Sequence, residues 1–447
     1  MKLRDIAIGA NASMYFRLNF KKIKGVFYPT NEDEVVQAIA AAQKMGVSVT
    51  PKGGGSGLSG ACTGGNTERV MISSLRMTDL LKISKDTDQP YIDVQPGASP
   101  DEINAILEPI GFKLWVAPSS RDIATVGGIL STDGGGNDTW VNGTMRDNTI
   151  HAKMILYDGT KIIVDQDGVQ SDNDELAAKL NSVEMTLHDV AASHGTLGFI
   201  TELRLVIKPF PDEKLIGGIV KFDNASELGI ALDKMIERRS KIRYGESIVA
   251  AHDDIRGGLS TPLLILEFPD SEMDEVLDIV DLDELNPSEL EKMKDIRIKL
   301  PKRNPAKGKQ IALFEGYGFH GDNLMTMQRG IDSIDSLLRD HGLEPFAKYG
   351  HAPSKWYLGD NTPAFGLIMH SREIRPDDAS GRDLFDAVLD IVELTEKLGI
   401  TPKPEHKWPF SDKEKLTRMN QLREILNSHF NEFLFDSNCD DVLSSMV

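Results

Sequence analysis

The chain has 447 residues, which is long enough for two or three domains and too long for one ordinary hydrophobic core. It carries 69 acidic and 50 basic residues, and the resulting formal charge of -19 argues against non-specific binding to nucleic acid or anionic lipid. Its two cysteines, Cys62 and Cys439, exclude a disulfide framework, a cysteine-ligated zinc site and a four-cysteine iron–sulfur cluster within the chain.

The first predicted elements are a strand, a helix and a second strand. Gly25–Pro29 has the pattern of a short apolar strand, and Asn31 with Glu34 has the pattern of a capping box that begins a helix. Apolar side chains recur at helical spacing until Gly46, which is typical of a helix end. The alternating run Val47–Thr50 predicts a strand that leads directly into a glycine-rich segment.

That segment, Pro51–Cys62, reads PKGGGSGLSGAC and predicts a phosphate-binding loop. Glycine leaves the backbone N–H groups accessible, and successive accessible N–H groups form a concave anion site. The segment lacks the Gly-Lys-Ser/Thr ending of a Walker loop, and more loop follows it instead of the long helix of a Rossmann motif. The alternative interpretation is a flexible surface linker.

A second loop-rich region follows two predicted strands, Val70–Ser73 and Tyr91–Val94. Ser99, Pro100 and Glu102 supply a helix N-cap, a first-turn proline and a third-position acid. Beyond that helix, residues 117–136 alternate hydroxyl side chains with bare glycine backbone, a mixture that can follow a long polar ligand. A plain surface loop is the alternative.

A third glycine loop lies between a predicted hairpin and a domain boundary. The hairpin turns at Asp158-Gly159, and the polar residues 165–175 after it predict an exposed loop. His194–Thr201 is the glycine loop, and it runs into an apolar strand. Pro209 and Pro211 then interrupt the pattern and mark the predicted boundary.

The second half predicts strand–helix–strand units, in which helices cover one face of a mainly antiparallel sheet in the ferredoxin-like manner. Residues 281–309 are highly charged and contain three prolines, so we expect a mobile excursion there. Two helical patterns, at about residues 380–397 and 411–434, end the chain.

The ordered glycine loops resemble the FAD-binding domain of the vanillyl-alcohol oxidase and p-cresol methylhydroxylase superfamily, in the branch of D-lactate dehydrogenase and the glycolate oxidase flavin subunit. PKGGGSGLSGA is similar to the family's PRGAGTGLSGG pyrophosphate loop. Val94–Gly97 matches its VxPG segment, Ile123–Gly128 its second flavin loop, and Gly195–Thr201 its EGTLGIVTE element. The resemblance covers about residues 15–210.

The resemblance implies FAD bound without a covalent bond, because Ser56 stands where covalent members carry a histidine. One departure is His194, which replaces the glutamate before the family's Gly-Thr-Leu-Gly. The implied cofactor-binding residues are Pro51, Lys52, Gly53, Gly54, Gly55, Ser56, Gly57, Leu58, Ser59, Pro118, Ser119, Ile123, Ala124, Thr125, Gly127, Gly128, Ser131, Thr132, Gly135, Gly136, His194, Gly195, Thr196, Gly198 and Ile200.

The resemblance also implies catalytic residues, although the family's GHxGDGNxH and EHGxG segments survive only as fragments. His406 matches the base, Glu405 matches the residue that orients the base or binds a divalent metal, and Arg297 resembles the arginine that binds the substrate carboxylate. His351 and His370 are further metal candidates. The alternative for each is an ordinary surface or core side chain, since the chain has 10 histidines.

The implied fold is α+β: a two-part FAD-binding domain at residues 1–212, a ferredoxin-like substrate domain at 213–400, and a C-terminal helical segment at 401–447 that returns to the flavin domain. The implied reaction is dehydrogenation of a small 2-hydroxy acid of the D-lactate or glycolate type by hydride transfer to flavin N5. Two alternatives remain open. One is a non-redox reaction of the alkyl-dihydroxyacetonephosphate synthase type, and the other is an FAD-binding subunit with a degenerate site in a larger complex.

The expected partners follow from this interpretation. They are a hydroxy-acid substrate and an electron acceptor that is oxygen, a quinone or a redox protein, in a homo-oligomer or a complex. The sequence has no apolar run of about 18 residues, and its N-terminal stretch lacks the apolar core of a signal peptide. We therefore expect a cytoplasmic protein with no membrane span and no nucleic-acid partner.

Overall fold

The structure is a computed structural model. It describes residues 22–57, 61–62, 67–116, 118–250, 260–302, 310–311, 315–342, 344–357, 363–365, 367–374, 390–391, 393–402 and 413–432. Among these residues, no helix is both long enough and apolar enough to cross a membrane.

The strands of the described residues are, in chain order, β1 (Ile23–Phe27), β2 (Ser48–Lys52), β3 (Arg69–Ser73), β4 (Leu80–Ser84), β5 (Tyr91–Val94), β6 (Phe112–Lys113), β7 (Thr149–Ile155), β8 (Lys161–Asp165), β9 (Val169–Ser171), β10 (Phe199–Val206), β11 (Lys208–Pro209), β12 (Leu215–Lys221), β13 (Tyr244–Ala250), β14 (Leu263–Pro269), β15 (Asp283–Glu284), β16 (Gln310–Ile311), β17 (Glu315–Gly318), β18 (Glu344–His351), β19 (Lys355–Tyr357), β20 (Pro363–Phe365), β21 (Leu367–Ile374) and β22 (Thr401–Pro402).

The α-helices of the same residues include α1 (Glu32–Met45), α2 (Pro100–Leu107), α3 (Val126–Thr132), α4 (Thr139–Asn142), α5 (Asp174–Ser182), α6 (Leu187–Val190), α7 (Ala225–Glu237), α8 (Met273–Leu277), α9 (Pro287–Lys302), α10 (Asp322–Met325), α11 (Met327–Asp340) and α12 (Lys413–Leu426).

The chain divides into two compact units. The first unit contains residues 1–134, 144–210 and 412–447, and the second contains residues 135–143 and 211–411. Each unit is therefore discontinuous in sequence. The functional division into residues 1–212, 213–400 and 401–447 stays a prediction.

The first unit contains two main sheets. A parallel sheet has the order β1-β3-β2, and an antiparallel sheet has the order β4-β5-β10-β7-β8-β9. Helix α1 buries one face, including Val35 and Ile39, in a core that also contains Val49 of β2 and Phe199 of β10. Burial of each such side chain stabilises the fold by about 1.5–3 kcal/mol.

The start of α1 differs in detail from the predicted capping box. Asn31 Oδ1 accepts a hydrogen bond from the Glu34 amide at 3.0 Å, as predicted. The Glu34 carboxylate, however, accepts from the Thr30 amide at 2.7 Å. Gly46 ends the helix with φ 64°, a left-handed conformation that costs glycine little.

The second unit is built on one large antiparallel sheet. Its described strands follow the order β15-β12-β14-β13-β18-β21-β17-β22, with β16 pairing to β21. Helices α7 and α10 pack closely at Gly229 of α7. A Cβ atom at that position would lie 1.8 Å from the carbonyl oxygen of Leu324. The antiparallel sheet with helices agrees with the predicted substrate domain.

Two predicted irregular segments form regular structure instead. Within residues 165–175, β9 pairs antiparallel with β8, and α5 begins at Asp174. Within residues 281–309, the predicted excursion contains α9. Asn286 Oδ1 accepts from the Glu289 amide at 3.1 Å, and the Glu289 carboxylate accepts from the Asn286 amide at 3.2 Å. This reciprocal cap begins the helix despite its high charge.

Candidate flavin site

The first and second glycine loops are in direct contact in the first unit. A Cβ atom at Gly53 would lie 2.2 Å from Thr125 Oγ1, and one at Gly54 would lie 1.8 Å from the Ile123 carbonyl oxygen. Atoms at such distances overlap, so no other residue fits at Gly54 without movement of the second loop. The two predicted flavin loops therefore meet through backbone at the carboxyl end of β2, the usual place for a ligand in a parallel sheet.

The second loop is held by the Val94–Gly97 segment. The amides of Val126 and Gly127 donate to the carbonyls of Ala98 and Pro96 at 2.9 and 3.0 Å. The Thr125 hydroxyl accepts from the Gly128 amide at 3.3 Å and caps α3. The first amides of α3 are thus satisfied within the protein, which fixes the helix start beside the first loop.

The third glycine loop contacts both of the other two. The His194 amide donates to the Ser131 carbonyl at 2.7 Å. Gly195 has φ 69°, and a Cβ there would lie 3.3 Å from Pro51 Cγ. His194 itself is buried and has φ 52°, which is uncommon for a residue with a side chain. All three predicted flavin loops therefore contact one another.

A C-terminal segment that sequence reasoning did not assign to the site supports the third loop. The Arg423 guanidinium donates to the carbonyls of Thr196 at 3.2 Å and Ser428 at 3.1 Å. The Ser428 hydroxyl also donates to the Thr196 carbonyl, at 2.6 Å. Asn431 Nδ2 donates to the His194 carbonyl at 2.8 Å, and the backbone N–H of Asn431 donates to the Val49 carbonyl at 2.9 Å.

Burial lowers the pKa of Arg423 to about 10, which leaves the side chain charged at neutral pH. A partly buried guanidinium directed at backbone carbonyls holds the third loop and the end of α12 in one arrangement. No local pattern in the sequence indicates this role, because an arginine in an amphipathic helix is usually a surface residue.

The amides of Gly53–Gly57 are the clearest binding feature. Within the described part of the chain, none of these five amides has a hydrogen-bond partner, although Gly54 and Gly55 are buried. Buried backbone N–H groups are almost always paired, so a run of such groups indicates an anionic ligand. Lys52 precedes them, is 5% exposed, and brings a positive charge to the loop.

A buried ion pair lies beyond α3. Arg146 Nε is 2.6 Å from Asp133 Oδ2, and both side chains are less than 10% exposed. Arg146 Nη1 lies 3.0 Å from His188 Nδ1. Burial, together with the Arg146 charge, lowers the pKa of His188, so the imidazole is neutral at neutral pH.

Most of the other predicted cofactor residues lie in or beside the three glycine loops. Ser131 and Thr132 direct their hydroxyls to the carbonyls of Gly127 and Gly128, at 2.7 and 3.2 Å. Pro118, Ser119 and Ala124 lie in or beside the turn before α3, Thr196 is fully buried, and Gly198 and Ile200 lie at the start of β10. Leu58 and Ser59 are outside the described residues. Gly135 and Gly136 belong to the second unit.

The structure describes little of the predicted catalytic set. Glu405 and His406 lie outside the described residues. Arg297 lies in α9, and its side chain is not among those described. His351 is buried on β18. His370 on β21 pairs with Lys348, which lies three residues before His351 on β18. An odd offset assigns the two histidine positions to opposite faces of the sheet, so the structure does not bring them together.

Fragments of the family's metal motif have a structural role here. Gly321 turns with φ 52° and Asp322 begins α10. Asn323 Nδ2 donates to the Gly399 carbonyl at 2.5 Å. A different group, Asp93, His151 and Glu202 on the first unit's antiparallel sheet, has potential metal-ligand atoms within 4.8 Å of one another. Arg204 and Lys153 already pair with its two carboxylates, at 2.7 Å each.

Comparison with known proteins identifies the cofactor. Residues 23–165 match the FAD binding domain family, which supports FAD as the cofactor. The match contains the first two glycine loops and the strands between them. It confirms the resemblance drawn from those loops, and FAD is a ligand that fits the amides of Gly53–Gly57, which have no partner among the described residues.

Two curated relatives and one solved structure illustrate the likeness. The chain is 30% identical over 164 residues to a D-2-hydroxyglutarate dehydrogenase of Pseudomonas putida, covering 35% of this chain and 15% of that protein. It is 28% identical over 196 residues to an alkyldihydroxyacetonephosphate synthase of Caenorhabditis elegans, covering 44% of this chain and 31% of that protein. The chain thus spans less than a third of the length of either relative.

A solved alkyldihydroxyacetonephosphate synthase structure has a TM-score of 0.66 and 16% identity, covering 93% of this chain and 75% of that chain. At this identity the likeness concerns the fold alone. Together with the domain match, it confirms the predicted α+β fold class of an FAD-binding domain joined to a sheet-and-helix domain.

Proposed function

We propose that the protein is an FAD-dependent oxidoreductase that dehydrogenates a small 2-hydroxy acid. The observation that carries the proposal is the run of amides at Gly53–Gly57 that have no partner among the described residues, beside Lys52 and within the region that matches the FAD binding domain family. The likeness to D-2-hydroxyglutarate dehydrogenase supports the substrate class. D-lactate and glycolate are the first substrates to test.

In this proposal the loops bind the cofactor and other residues act on the substrate. Gly53–Gly57 and Lys52 would hold the pyrophosphate, and the second and third loops would surround the flavin ring. Bound FAD supplies a hydride acceptor at N5. His406 would take the hydroxyl proton, Glu405 would orient His406 or bind a divalent metal, and Arg297 would bind the substrate carboxylate. These three roles rest on the sequence resemblance.

Anaerobic mixing of the FAD-loaded protein with a panel of 2-hydroxy acids tests the reaction. We expect lasting loss of the oxidised flavin absorbance with at least one D-hydroxy acid. We expect the His406→Ala variant to retain FAD and lose this reduction. A panel that leaves the flavin oxidised, or a variant that is reduced at the native rate, would contradict the proposal.

A non-redox transfer of the alkyldihydroxyacetonephosphate synthase type is the second candidate, favoured by the solved structure that covers 93% of this chain. In such a reaction substrate produces no lasting reduction of the flavin. Release of the labelled acyl group of an acyl ester of dihydroxyacetone phosphate as a free fatty acid, with a long-chain alcohol taking its place and the flavin oxidised before and after, would favour this candidate.

We also propose that FAD is held without a covalent bond, because Ser56 offers no imidazole for attachment. Acid precipitation should leave a colourless pellet and a yellow supernatant. Yellow colour that remains in the pellet would show the opposite.

A further inference from the structure

The C-terminal segment that supports the third glycine loop contains an amide side chain with an unused acceptor. Asn431 is 1% exposed, and its Nδ2 donates to the His194 carbonyl at 2.8 Å. Its Oδ1 is also buried and accepts no hydrogen bond from the residues that the structure describes. Buried polar atoms are almost always paired, so an acceptor of this kind indicates a donor that a ligand brings.

The protein itself fixes which amide atom is the oxygen. A backbone carbonyl only accepts, so the Asn431 atom that bonds the His194 carbonyl is the nitrogen. The other atom is therefore Oδ1, which accepts and cannot donate. Any group that pairs with it must carry an N–H or an O–H.

The backbone around Asn431 explains this residue only in part. Its φ of 47° lies in the left-handed region, which asparagine tolerates and glycine adopts at less cost. The backbone N–H of Asn431 donates to the Val49 carbonyl, and the backbone N–H of Val49 donates to the His429 carbonyl, each at 2.9 Å. These bonds hold the segment parallel to the outer edge of β2. Neither they nor the bond from Nδ2 to His194 uses Oδ1.

Asn431 lies where the first and third glycine loops meet. A Cβ atom at Gly195 would lie 3.6 Å from Asn431 Nδ2 and 3.3 Å from Cγ of Pro51, the residue that begins the first loop. In the proposed function the first loop holds the pyrophosphate and the third loop lies at the flavin ring. The part of FAD that joins these two groups is the ribityl chain, and its hydroxyl groups are hydrogen-bond donors.

We propose that Asn431 is a further cofactor-binding residue, whose Oδ1 accepts a hydrogen bond from a ribityl hydroxyl of FAD. The same carboxamide then holds the third loop through Nδ2 and the ligand through Oδ1. A hydroxyl suits this buried position, because it is neutral and needs no opposite charge beside it. The inference rests on the proposed function in its binding of FAD, and it is independent of the hydroxy-acid reaction.

A set of FAD analogues, each of which lacks one ribityl hydroxyl, tests the contact in the native apoprotein. Fluorescence titration should find an analogue that binds about tenfold or more weakly than FAD, because it leaves the buried Oδ1 without a donor. A native protein that binds every analogue as tightly as FAD would overturn the proposal.

Two substitutions at Asn431 assign that preference to its acceptor. Glycine suits the φ of 47°, so Asn431→Gly loses the side chain without backbone strain. We expect this variant to bind FAD about tenfold or more weakly than the native protein and to bind FAD and the weak analogue equally. Asn431→Asp keeps an acceptor oxygen and loses the donor to His194, so it should retain the preference for FAD even at a lower affinity.

Ser428→Ala is the matched control for loosening of the loop. It removes the hydrogen bond from Ser428 Oγ to the Thr196 carbonyl, which supports the same loop from the same segment. Its affinity for FAD can fall, but its preference for FAD over the weak analogue should stay native. Loss of that preference in Ser428→Ala, or its survival in Asn431→Gly, would count against a direct contact with Asn431.

Titration with FMN and ADP locates the donor within the cofactor. FMN contains the ribityl chain, whereas ADP contains the pyrophosphate and the adenosine ribose. Asn431→Gly should weaken binding of FMN and leave binding of ADP unchanged, and an equal loss for ADP would overturn the assignment to the ribityl chain. These titrations need no substrate, so failure of the hydroxy-acid reaction alone would leave them decisive. A native protein that binds no FAD would overturn both proposals.

Discussion

The two units build their buried contacts from different parts of the chain. In the first unit the contacts involve backbone: Gly54 approaches the Ile123 carbonyl, and the Arg423 side chain donates to the Thr196 carbonyl of the third loop. In the second unit, side chains form a cluster around Glu246 of β13, whose buried carboxylate accepts from Asn137, inside a regular antiparallel sheet. Close backbone contacts require glycines, which form a recognisable sequence motif. A buried carboxylate in a strand is only a single acidic residue among apolar ones. This difference explains why the glycine loops could be recognised from the sequence and the cluster around Glu246 could not.

The most disruptive test of the backbone contacts is Gly54→Ala. The added Cβ would lie 1.8 Å from the Ile123 carbonyl oxygen, so the first two loops must separate. We expect purified protein without FAD and a loss of several kcal/mol of unfolding free energy, above about 3 kcal/mol. Absorbance at the flavin bands and urea unfolding measure the two effects.

Gly57→Ala is the matched control for that variant. Among the described residues, the nearest atom to its Cβ would be Thr132 Cγ2 at 4.0 Å, which is ordinary van der Waals contact. Its melting temperature should stay near the native value. If Gly54→Ala retained FAD with a native melting temperature, close backbone contact would not be what shapes this site.

Removal of the Arg423 side chain should have the next largest effect. Arg423→Gln leaves the buried carbonyls of Thr196 and Ser428 with fewer donors, which should cost about 2–4 kcal/mol of unfolding free energy. FAD affinity should fall as the third loop loosens. Fluorescence titration of the apoprotein with FAD measures this directly.

Arg418→Gln on the same helix separates loop support from general helix docking. Arg418 pairs with Asp189 at 2.9 Å and is partly exposed. Its loss should lower the melting temperature moderately and leave FAD affinity unchanged. Equal losses of affinity in the two variants would assign the effect to docking of α12 as a whole.

The pH dependence of stability should report His188. Burial first, and the Arg146 charge second, lower the pKa of His188 below its ordinary value of about 6.5. The unfolded chain therefore binds a proton at a higher pH than the native protein, and stability is lost as the pH falls below about 6.5 toward the native pKa. The loss should stay within about 1 kcal/mol, since the side chain is partly exposed.

His188→Gln should flatten the decline of melting temperature between about pH 6.5 and pH 5, because the variant cannot take up that proton. His341→Gln is the control, since His341 is in the second unit and pairs with Asp390. An unchanged slope in His188→Gln would mean that other groups account for the acid sensitivity.

The smallest effect is expected at the surface pair Lys161–Glu32. The two atoms are 2.7 Å apart, but the side chains are 46% and 35% exposed. Lys161→Ala should cost at most about 0.5 kcal/mol, and 1 M salt should remove the difference. Lys294→Ala, whose partner Glu267 is only 17% exposed, should cost more and depend less on salt.

Local chemistry made much of the first unit predictable. The Ser99–Glu102 capping box and the strand Tyr91–Val94 follow from patterns of a few residues, and the structure has them at those positions. Helix α9 was missed because its charge and prolines hid a capping box at Asn286. Asn286 and Glu289 have the same spacing as the cap that predicted α1.

Other features depend on contacts that no local pattern contains. Arg423 and Asn431 reach the third loop across more than 200 residues of sequence. Asn137 and Glu246 are also distant in sequence, and neither residue type in its local context indicates that they meet. Such contacts arise from sheet topology, which a single sequence does not determine.

The pairing of Asn431 with Val49 also has a consequence for biosynthesis. Residues 428–431 lie beside β2, so the third flavin loop lacks its support until the chain has been made through Asn431. During translation the earlier loops would already have left the ribosome, with their amides open to water. Retention of FAD should therefore begin only after Asn431 has been synthesised, and nascent chains stalled before Arg423 should bind the cofactor weakly.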